Sequence, residues 1–137
     1  MDELQAAALL VKLPRLDAWN ARRRAVARQY AATIRHPAVS LPPTPYADDD
    51  VVHQYVVRCV ARDALRAHLA AAGVATEIHY PLADHRQDAW RSSMPETGLE
   101  HTERACASVL SLPCYPELDD DEVDAVVMAC NRWQSPQ

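Results

Sequence analysis

A ten-residue run at residues 51–60 constrains the fold more than any other part of the chain. Its residues alternate between one face that holds Tyr55 and Val57 and another that holds Val56 and Val60. The β-branched and aromatic side chains of this run predict a β-strand. Because both faces are largely apolar, we expect the strand to lie in the middle of a sheet with other elements covering it.

Two helices are predicted ahead of this strand. Apolar side chains recur at helical spacing over residues 2–12, and Pro14 predicts a break after them. A second helix is predicted over residues 16–35, with three consecutive arginines, 22–24, mostly facing outward. The side chains expected to face inward are Leu16, Trp19, Val26, Tyr30 and Ile34. The proline-rich and aspartate-rich residues 36–50 then predict an extended linker.

The remaining chain alternates helices with strands. A helix is predicted over residues 62–72, with Leu65, Leu69 and Ala72 on its inner face, stopped by Gly73 as a left-handed C-cap. A strand at 74–80, a long loop at 81–98 anchored by Trp90 and Met94, a helix at 100–107 and a strand at 109–112 follow. A last helix starts after Asp119, and its apolar stripe consists of Val123, Val126, Val127, Cys130 and Trp133.

This order of elements predicts an α+β fold. We expect a two-layer sandwich in which helices cover a small, mainly antiparallel, three-stranded sheet that two helices precede. The length of 137 residues fits one domain, with a helical segment at 1–35, a linker at 36–50 and an α+β part at 51–137. The first helix has no obvious partner within the chain, so we expect it to pack on something outside it.

Charge and composition exclude several function classes. A net charge of −5 provides no basic field for a nucleic-acid backbone or an anionic membrane. The four cysteines form no CxxC pair, and the N-terminus lacks the basic start and apolar run of a signal peptide. We therefore expect free thiols and a cytoplasmic location. The two glycines provide no phosphate-binding loop, and the chain has a single lysine, Lys12.

Reactive side chains are densest at the end of the predicted strand at 74–80. They are Glu77, His79, Tyr80, Asp84 and His85. A metal site would use the two histidines with one carboxylate, but the spacing matches no standard zinc motif, so we expect no metal. In the alternative interpretation, His79 packs against the next layer and His85 is a solvated loop residue.

Two further pairs of residues could form a site. His53 and Tyr55 share one face of the first strand, either as a hydrogen-bonded structural pair or as the floor of a pocket. Ser111 and Cys114 are candidate nucleophiles, but neither has a base at a recognisable offset. We therefore predict no catalytic residue in this chain.

Several motifs in a fixed order carry a resemblance to one family. They are Met-Asp-Glu-Leu-Gln-Ala-Ala at 1–7, Val-Lys-Leu-Pro-Arg-Leu-Asp at 11–17, Trp-Asn-Ala-Arg-Arg at 19–23, His-Gln-Tyr-Val-Val-Arg at 53–58, Arg-Asp-Ala-Leu at 62–65, Ile-His-Tyr-Pro-Leu at 78–82, Leu-Ser-Leu-Pro at 110–113 and Tyr-Pro-Glu-Leu at 115–118. Together they resemble the DegT/StrS-type sugar aminotransferases. The resemblance covers essentially all 137 residues.

The resemblance implies the small, C-terminal domain of a fold-type I enzyme that depends on pyridoxal phosphate. The family transfers an amino group from glutamate to a keto sugar on a nucleotide, as homodimers, in the biosynthesis of surface polysaccharides or antibiotics. Its Schiff-base lysine and cofactor contacts lie upstream of the part that this chain resembles. Lys12 matches a helix position of the family instead. The resemblance therefore implies that this chain alone binds no cofactor and is inactive as a transaminase.

By position, the resemblance also implies a set of substrate contacts. His79, Tyr80 and His85, with His53 and Tyr55 behind them, would line the side of the cleft that binds the nucleotide sugar. Asp84 and Arg86 stand where the family more often has apolar residues.

Three origins of the chain remain open at this stage. It is a truncated or split aminotransferase that needs an N-terminal half, or it is a non-catalytic module. Such a module would dimerise through residues 2–12 or bind a nucleotide sugar. The third alternative is a decayed gene fragment that still folds.

Overall fold

Five α-helices and two β-strands make up the part of the chain that the computed structural model describes, residues 2–43, 49–90 and 98–136. The helices are α1 (Glu3–Lys12), α2 (Leu16–Thr33), α3 (Arg62–Ala71), α4 (Glu100–Ser108) and α5 (Asp120–Arg132), and the strands are β1 (Tyr55–Arg58) and β2 (Val109–Leu112). Single turns of 3-10 helix lie at Leu13–Arg15, Asp84–Arg86 and Asp88–Trp90. No helix within these described ranges has the length and hydropathy needed to cross a membrane.

The two strands pair antiparallel, with Tyr55 opposite Leu112. A single bridge from Ser40 to Arg58 extends the sheet on the free edge of β1, so β1 has a neighbour on both sides as expected. On the far edge of β2, only Glu77 bridges to Ser111. The α+β class is confirmed, but the predicted third strand at 74–80 is wrong, because this segment makes one bridge and no ladder.

The first strand is shorter than its sequence pattern predicts. Val52 has a φ of 47°, in the left-handed region, so the backbone is not extended there and β1 begins at Tyr55. The N–H of Val52 donates to Oδ1 of Asp50 at 3.0 Å, which closes a local turn. The alternating pattern of residues 51–54 therefore reports partial burial and not strand pairing.

The core lies between the sheet and helices α2, α3 and α5. The apolar stripe predicted for the last helix is buried along its full length, Val123 to Trp133. The first turn of α5 is closed by a capping box in which Asp119 and Glu122 bond each other's backbone N–H groups. In α3, Leu65 and Leu69 are fully buried, whereas Ala72, predicted on the same face, lies just after the end of the helix and is exposed.

The end of α3 follows the predicted chemistry. Gly73 has a φ of +79° and continues the chain away from the helix, a conformation that residues with a Cβ atom rarely adopt. Val74, the next residue, is buried and donates its N–H to the carbonyl of Leu69. This arrangement satisfies an open carbonyl of the last helical turn.

The first two helices differ in how they pack. Val26, Ala27 and Tyr30 bury one face of α2, and Ile34 follows them, but Leu16, expected to face inward, is 44% exposed. Helix α1 starts at a side-chain cap from Asp2 and contains no buried residue. Its apolar residues, and those of the turn after it, therefore stay on the surface. Leu4, Leu9, Leu10, Val11 and Leu13 are 52–84% exposed.

The segments predicted as irregular contribute unequally to the core. In the predicted linker, Val39 is buried and the next residue forms the bridge to β1. Trp90, predicted as an anchor of the long loop, is 48% exposed, because the 3-10 turn that carries it lies on the surface. The other predicted anchor, Met94, lies outside the described residues.

Candidate functional site

A cleft of about 440 Å³ lies along the β2 edge of the sheet. Four parts of the chain form its walls: α2, the turn before β1, the segment after Val74, and the end of β2 with the residues after it. The lining residues are Arg23, His53, Gln54, Ala75, Thr76, Glu77, His79, Ser111, Leu112, Pro113 and Cys114. Imidazole, carboxylate, amide and hydroxyl groups therefore meet in one concave surface of the size that small ligands use.

His79 and Ser111 make the most defined contact in this cleft. Nδ1 of His79 lies 2.9 Å from the hydroxyl oxygen of Ser111. The serine is 7% exposed, and its backbone N–H and carbonyl both bond to Glu77, at 2.7 and 3.2 Å. The bridge that replaces the predicted third strand therefore holds the segment with His79 in a fixed position against β2.

Arginines of α2 fasten the opposite wall. Nη1 of Arg23 donates to the carbonyl of Cys114 at 2.6 Å and to that of His53 at 3.4 Å. Arg22 donates through Nε to the carbonyl of Leu118 at 3.1 Å and forms an ion pair with Asp120 at 2.9 Å. Arg24 donates to the carbonyl of Asp50 at 3.3 Å. The expectation that residues 22–24 form an outward, solvated face is therefore wrong, because all three guanidinium groups bind backbone carbonyls across the fold.

The structure brings two of the five predicted site residues together. His53 and His79 both line the cleft, and Tyr80 lies next to His79 with its ring 5.5 Å away and 69% of the residue exposed. Tyr55 is fully buried, with its ring edge-on to Tyr30 at 5.1 Å. His85 is bound elsewhere, to the side chain of a helix α4 residue. Tyr55, Tyr80 and His85 are not part of the cleft lining.

His85 belongs to a cluster centred on Glu103 of α4. Nε2 of His85 lies 3.0 Å from Oε1 of Glu103, and the same oxygen accepts from Nε and Nη2 of Arg86, at 3.0 and 2.7 Å. These hydrogen bonds, that of His85 first, hold the pKa of the Glu103 carboxyl below its usual value. The cluster ties the 3-10 turn Asp84–Arg86 to α4.

The two candidate nucleophiles of the cleft differ. Oγ of Ser111 lies 2.9 Å from Nδ1 of His79, a base that the sequence spacing did not reveal, whereas Cys114 is poorly activated. Burial raises the pKa of the Cys114 thiol to about 11, although the charge of Arg23 acts in the opposite direction. The thiolate is therefore scarce at neutral pH. Within the described part of the chain, no group of three or more histidine, cysteine, aspartate or glutamate side chains could hold a metal ion.

Sequence reasoning assigned Arg23 and Gln54 to no site, and it considered Ser111 only as a nucleophile without a base. Ser111 had a usable signal, because it is the one polar residue of the apolar strand that runs from Val109 to Leu112. Arg23 had none, since its contacts with residues 53 and 114 depend entirely on how α2 packs.

A second concave surface lies at the bend between α1 and α2. It has a volume of about 590 Å³ and is lined by Ala6, Leu9, Leu10, Lys12, Leu13, Leu16 and Trp19. Its walls are almost entirely apolar, and it shares no residue with the cleft.

Comparison with known proteins gives one consistent result. The family model described as the DegT/DnrJ/EryC1/StrS aminotransferase family matches residues 1–131. The dTDP-3-amino-3,4,6-trideoxy-alpha-D-glucose transaminase of Streptomyces venezuelae is 39% identical over 135 residues, which is 97% of this chain and 36% of that protein. The dTDP-3-amino-3,6-dideoxy-alpha-D-galactopyranose transaminase of Aneurinibacillus thermoaerophilus is also 39% identical, over 97% of this chain and 36% of its own length.

Solved structures agree in fold. The crystal structure of DesV from S. venezuelae in complex with a ketimine intermediate superposes with a TM-score of 0.88 over 97% of this chain and 36% of that one, at 39% identity. A DegT DnrJ EryC1 StrS aminotransferase from Brucella abortus superposes with a TM-score of 0.85 over 95% of this chain and 35% of that one, at 31% identity. The chain thus spans about a third of the length of the proteins it matches.

Proposed function

The chain belongs to the DegT/DnrJ/EryC1/StrS aminotransferase family, and on that premise we propose that it supplies the C-terminal part of a pyridoxal-phosphate-dependent nucleotide-sugar aminotransferase. The observation that carries this proposal is the match of 97% of the chain to two dTDP-sugar transaminases, against 36% of their length. Nucleotide-sugar or surface-polysaccharide biosynthesis in the cytoplasm is the process that we assign to such an enzyme.

We infer that these 137 residues do not transaminate by themselves. Pyridoxal phosphate supplies an electron sink for amino transfer when a lysine amine holds it and moves the proton. Lys12 is the only lysine of the sequence. It lines the second concave surface, at the bend between α1 and α2, together with Leu9 and Leu13, and it does not line the cleft. The residues of this chain therefore provide no lysine that could hold the cofactor in the cleft. We propose that the cofactor is held by a polypeptide that corresponds to the part of the relatives that this chain does not match.

We assign the cleft to the sugar nucleotide. The imidazoles of His53 and His79 line it, and the exposed phenol of Tyr80 stands beside His79, so all three can bond hydroxyl or phosphate oxygens. In this assignment Tyr55 and His85 do not contact the ligand, because Tyr55 of β1 is buried in the core and His85 is bound to Glu103 of α4.

The decisive experiment compares the chain alone with the chain plus a partner. Purified protein is incubated with pyridoxal phosphate, glutamate and a dTDP-linked keto sugar, reduced with borohydride, and analysed for product and for modified lysine. We expect no product from the chain alone, and product once a separately expressed catalytic portion of a family member is added. Turnover by the chain alone, with cofactor attached specifically to Lys12, would contradict the proposal.

A binding measurement tests the site assignment. Calorimetric titration with a dTDP-linked sugar is expected to show weaker binding for His79→Ala and His53→Ala than for the original chain. His101→Ala is the matched control, because His101 is an exposed histidine on α4 outside the cleft. If all three variants bind the dTDP-linked sugar with equal affinity, then His53 and His79 do not contact it.

A second candidate function is a non-catalytic module that dimerises or binds a nucleotide sugar. The observation that favours it is the apolar face of α1, where Leu4 is 84% exposed and Val11 is 72% exposed. Soluble proteins rarely leave such a surface open unless it binds another molecule. A stable homodimer of the chain in light scattering, unchanged when the catalytic portion is added, would favour this module over the split enzyme.

A further inference from the structure

The side chain of His79 is held at one ring nitrogen only. Nδ1 lies 2.9 Å from Oγ of Ser111, whereas Nε2 has no hydrogen-bond partner among the described residues. Because His79 lines the cleft and Nδ1 points at β2, Nε2 is the nitrogen available to a ligand. The state of Nε2, donor or acceptor, then depends on the direction of the bond at Nδ1.

The surroundings of Ser111 decide that direction. Its hydroxyl has one proton to donate, and Nδ1 of His79 is the one acceptor that the described residues place within reach. If Nδ1 carried the proton, the hydroxyl proton of Ser111, which is 7% exposed, would have no acceptor among the residues that the structure describes. Leaving a buried donor unsatisfied is costly, so the arrangement with the hydroxyl as donor is the stable one.

We propose that Ser111 is a positioning residue, whose hydroxyl donates to Nδ1 of His79 and fixes the imidazole in the tautomer that carries its proton on Nε2. His79 then presents an N–H donor to the cleft, and the group it recognises is an oxygen acceptor of the ligand, a hydroxyl or phosphate oxygen. The identity of that ligand rests on the proposed function. The hydrogen bond and the tautomer do not, and they can be measured in the ligand-free chain.

The first test uses the unaltered protein. Nitrogen-15 NMR of the histidine rings at neutral pH distinguishes a protonated ring nitrogen from an unprotonated one. We expect His79 to show one tautomer, with the proton on Nε2 and a scalar coupling from the Ser111 hydroxyl proton to Nδ1. A proton on Nδ1, or a mixture of both tautomers in the unaltered chain, would overturn the proposal without any variant.

The second test removes the hydroxyl. In Ser111→Ala we expect His79 to become a rapidly exchanging mixture of both tautomers, and in Ser111→Thr, which keeps the hydroxyl, we expect the single tautomer to return. Ser108→Ala is the matched control, since the Ser108 hydroxyl bonds the carbonyl of Arg104 within α4 and contacts no histidine. A folded Ser111→Ala variant in which the His79 nitrogens are unchanged would refute the positioning role.

Nucleotide binding separates this proposal from the proposed function. If dTDP fails to bind the unaltered chain while His79 keeps its single tautomer, the assignment of the cleft to a sugar nucleotide fails and the role of Ser111 stands. If dTDP binds and Ser111→Ala binds it equally well with unchanged His79 nitrogens, the role of Ser111 fails and the assignment of the cleft stands.

Discussion

Replacing Arg23 by methionine tests whether α2 holds the cleft together. The half-buried Arg23 donates to the carbonyl of Cys114 at 2.6 Å, and methionine keeps an apolar stem while it removes that donor. A hydrogen bond from a charged group contributes about 1.5–3 kcal/mol, and the 3.4 Å contact with the His53 carbonyl adds little. We expect a loss of about 2 kcal/mol in unfolding free energy, or about 8 °C in Tm for a domain of this size.

Urea unfolding followed by circular dichroism measures this loss. The control is Arg132→Met at the end of α5, where the arginine is exposed, and we expect it to change stability by less than about 0.5 kcal/mol. Arg23→Lys keeps the charge but has a single ammonium in place of the fork, so its loss should be intermediate. If Arg23→Met and Arg132→Met are equally stable, then residues 22–24 form a solvated face after all and the argument for a clamped cleft wall is refuted.

Three further predictions follow from local geometry. Gly73→Ala should cost about 1 kcal/mol because of the φ of +79°, whereas Gly98→Ala, at a residue without a left-handed φ, should be neutral in the same unfolding assay. Burial raises the pKa values of the Cys114 and Cys130 thiols from 9.0 to about 11, so as the pH rises these thiols lose their protons in the unfolded chain before they do so in the folded chain. These two thiols should then lower the unfolding free energy by about 3–5 kcal/mol between pH 9 and 11, and a Cys114→Ala/Cys130→Ala variant should reduce this slope but not abolish it, because burial also raises the pKa of Tyr30. Glu103→Gln should speed amide hydrogen exchange of residues 84–87 with little change in Tm, and exchange as slow as in the original chain would show that the Glu103 cluster does not hold this loop.

Helices were predictable from the sequence because their signals are local. The stripe from Val123 to Trp133 and the acidic first turn of α5 lie within one element, and the structure places both as expected. Gly73 is a similar case, since a glycine after an amphipathic run is typical of a left-handed C-cap. In each case the residues that determine the conformation are neighbours in the chain.

Strands were harder to predict because they depend on distant partners. Residues 74–80 alternate like a strand, but only Glu77 meets a partner, Ser111, so the alternation reports which side chains are buried and not how the backbone bonds. Val52 favours extended backbone by its type, but Asp50 binds its N–H and Cys114 lies against its carbonyl, and the residue takes a left-handed φ instead. Tertiary contacts outweigh local propensity at both places.

The candidate site also combines residues that local patterns indicate with residues that only the fold brings together. The sequence pointed to His53 and His79 as single residues, but their neighbours in the cleft, Arg23 and Ser111, lie 30 and 32 positions away along the chain. Such pairs depend on packing between elements, which no motif within one element encodes. A resemblance to a family transfers positions along the chain, so it included Tyr55, which the structure buries against Tyr30 and not in the cleft.

The cleft and the apolar face of α1 suit different kinds of binding partner. Every wall of the cleft is fixed by the core or by a hydrogen bond, so it can bind a small ligand without a change in the fold. Helix α1 adds no buried side chain, and full burial of each of its leucines or of Val11 would contribute about 1.5–3 kcal/mol. Since nothing in the described part of the chain covers this face, its apolar side chains favour association with another polypeptide surface. Both candidate functions therefore place the polypeptide partner at α1 and the small ligand in the cleft, and they differ only in whether that partner carries the catalytic lysine.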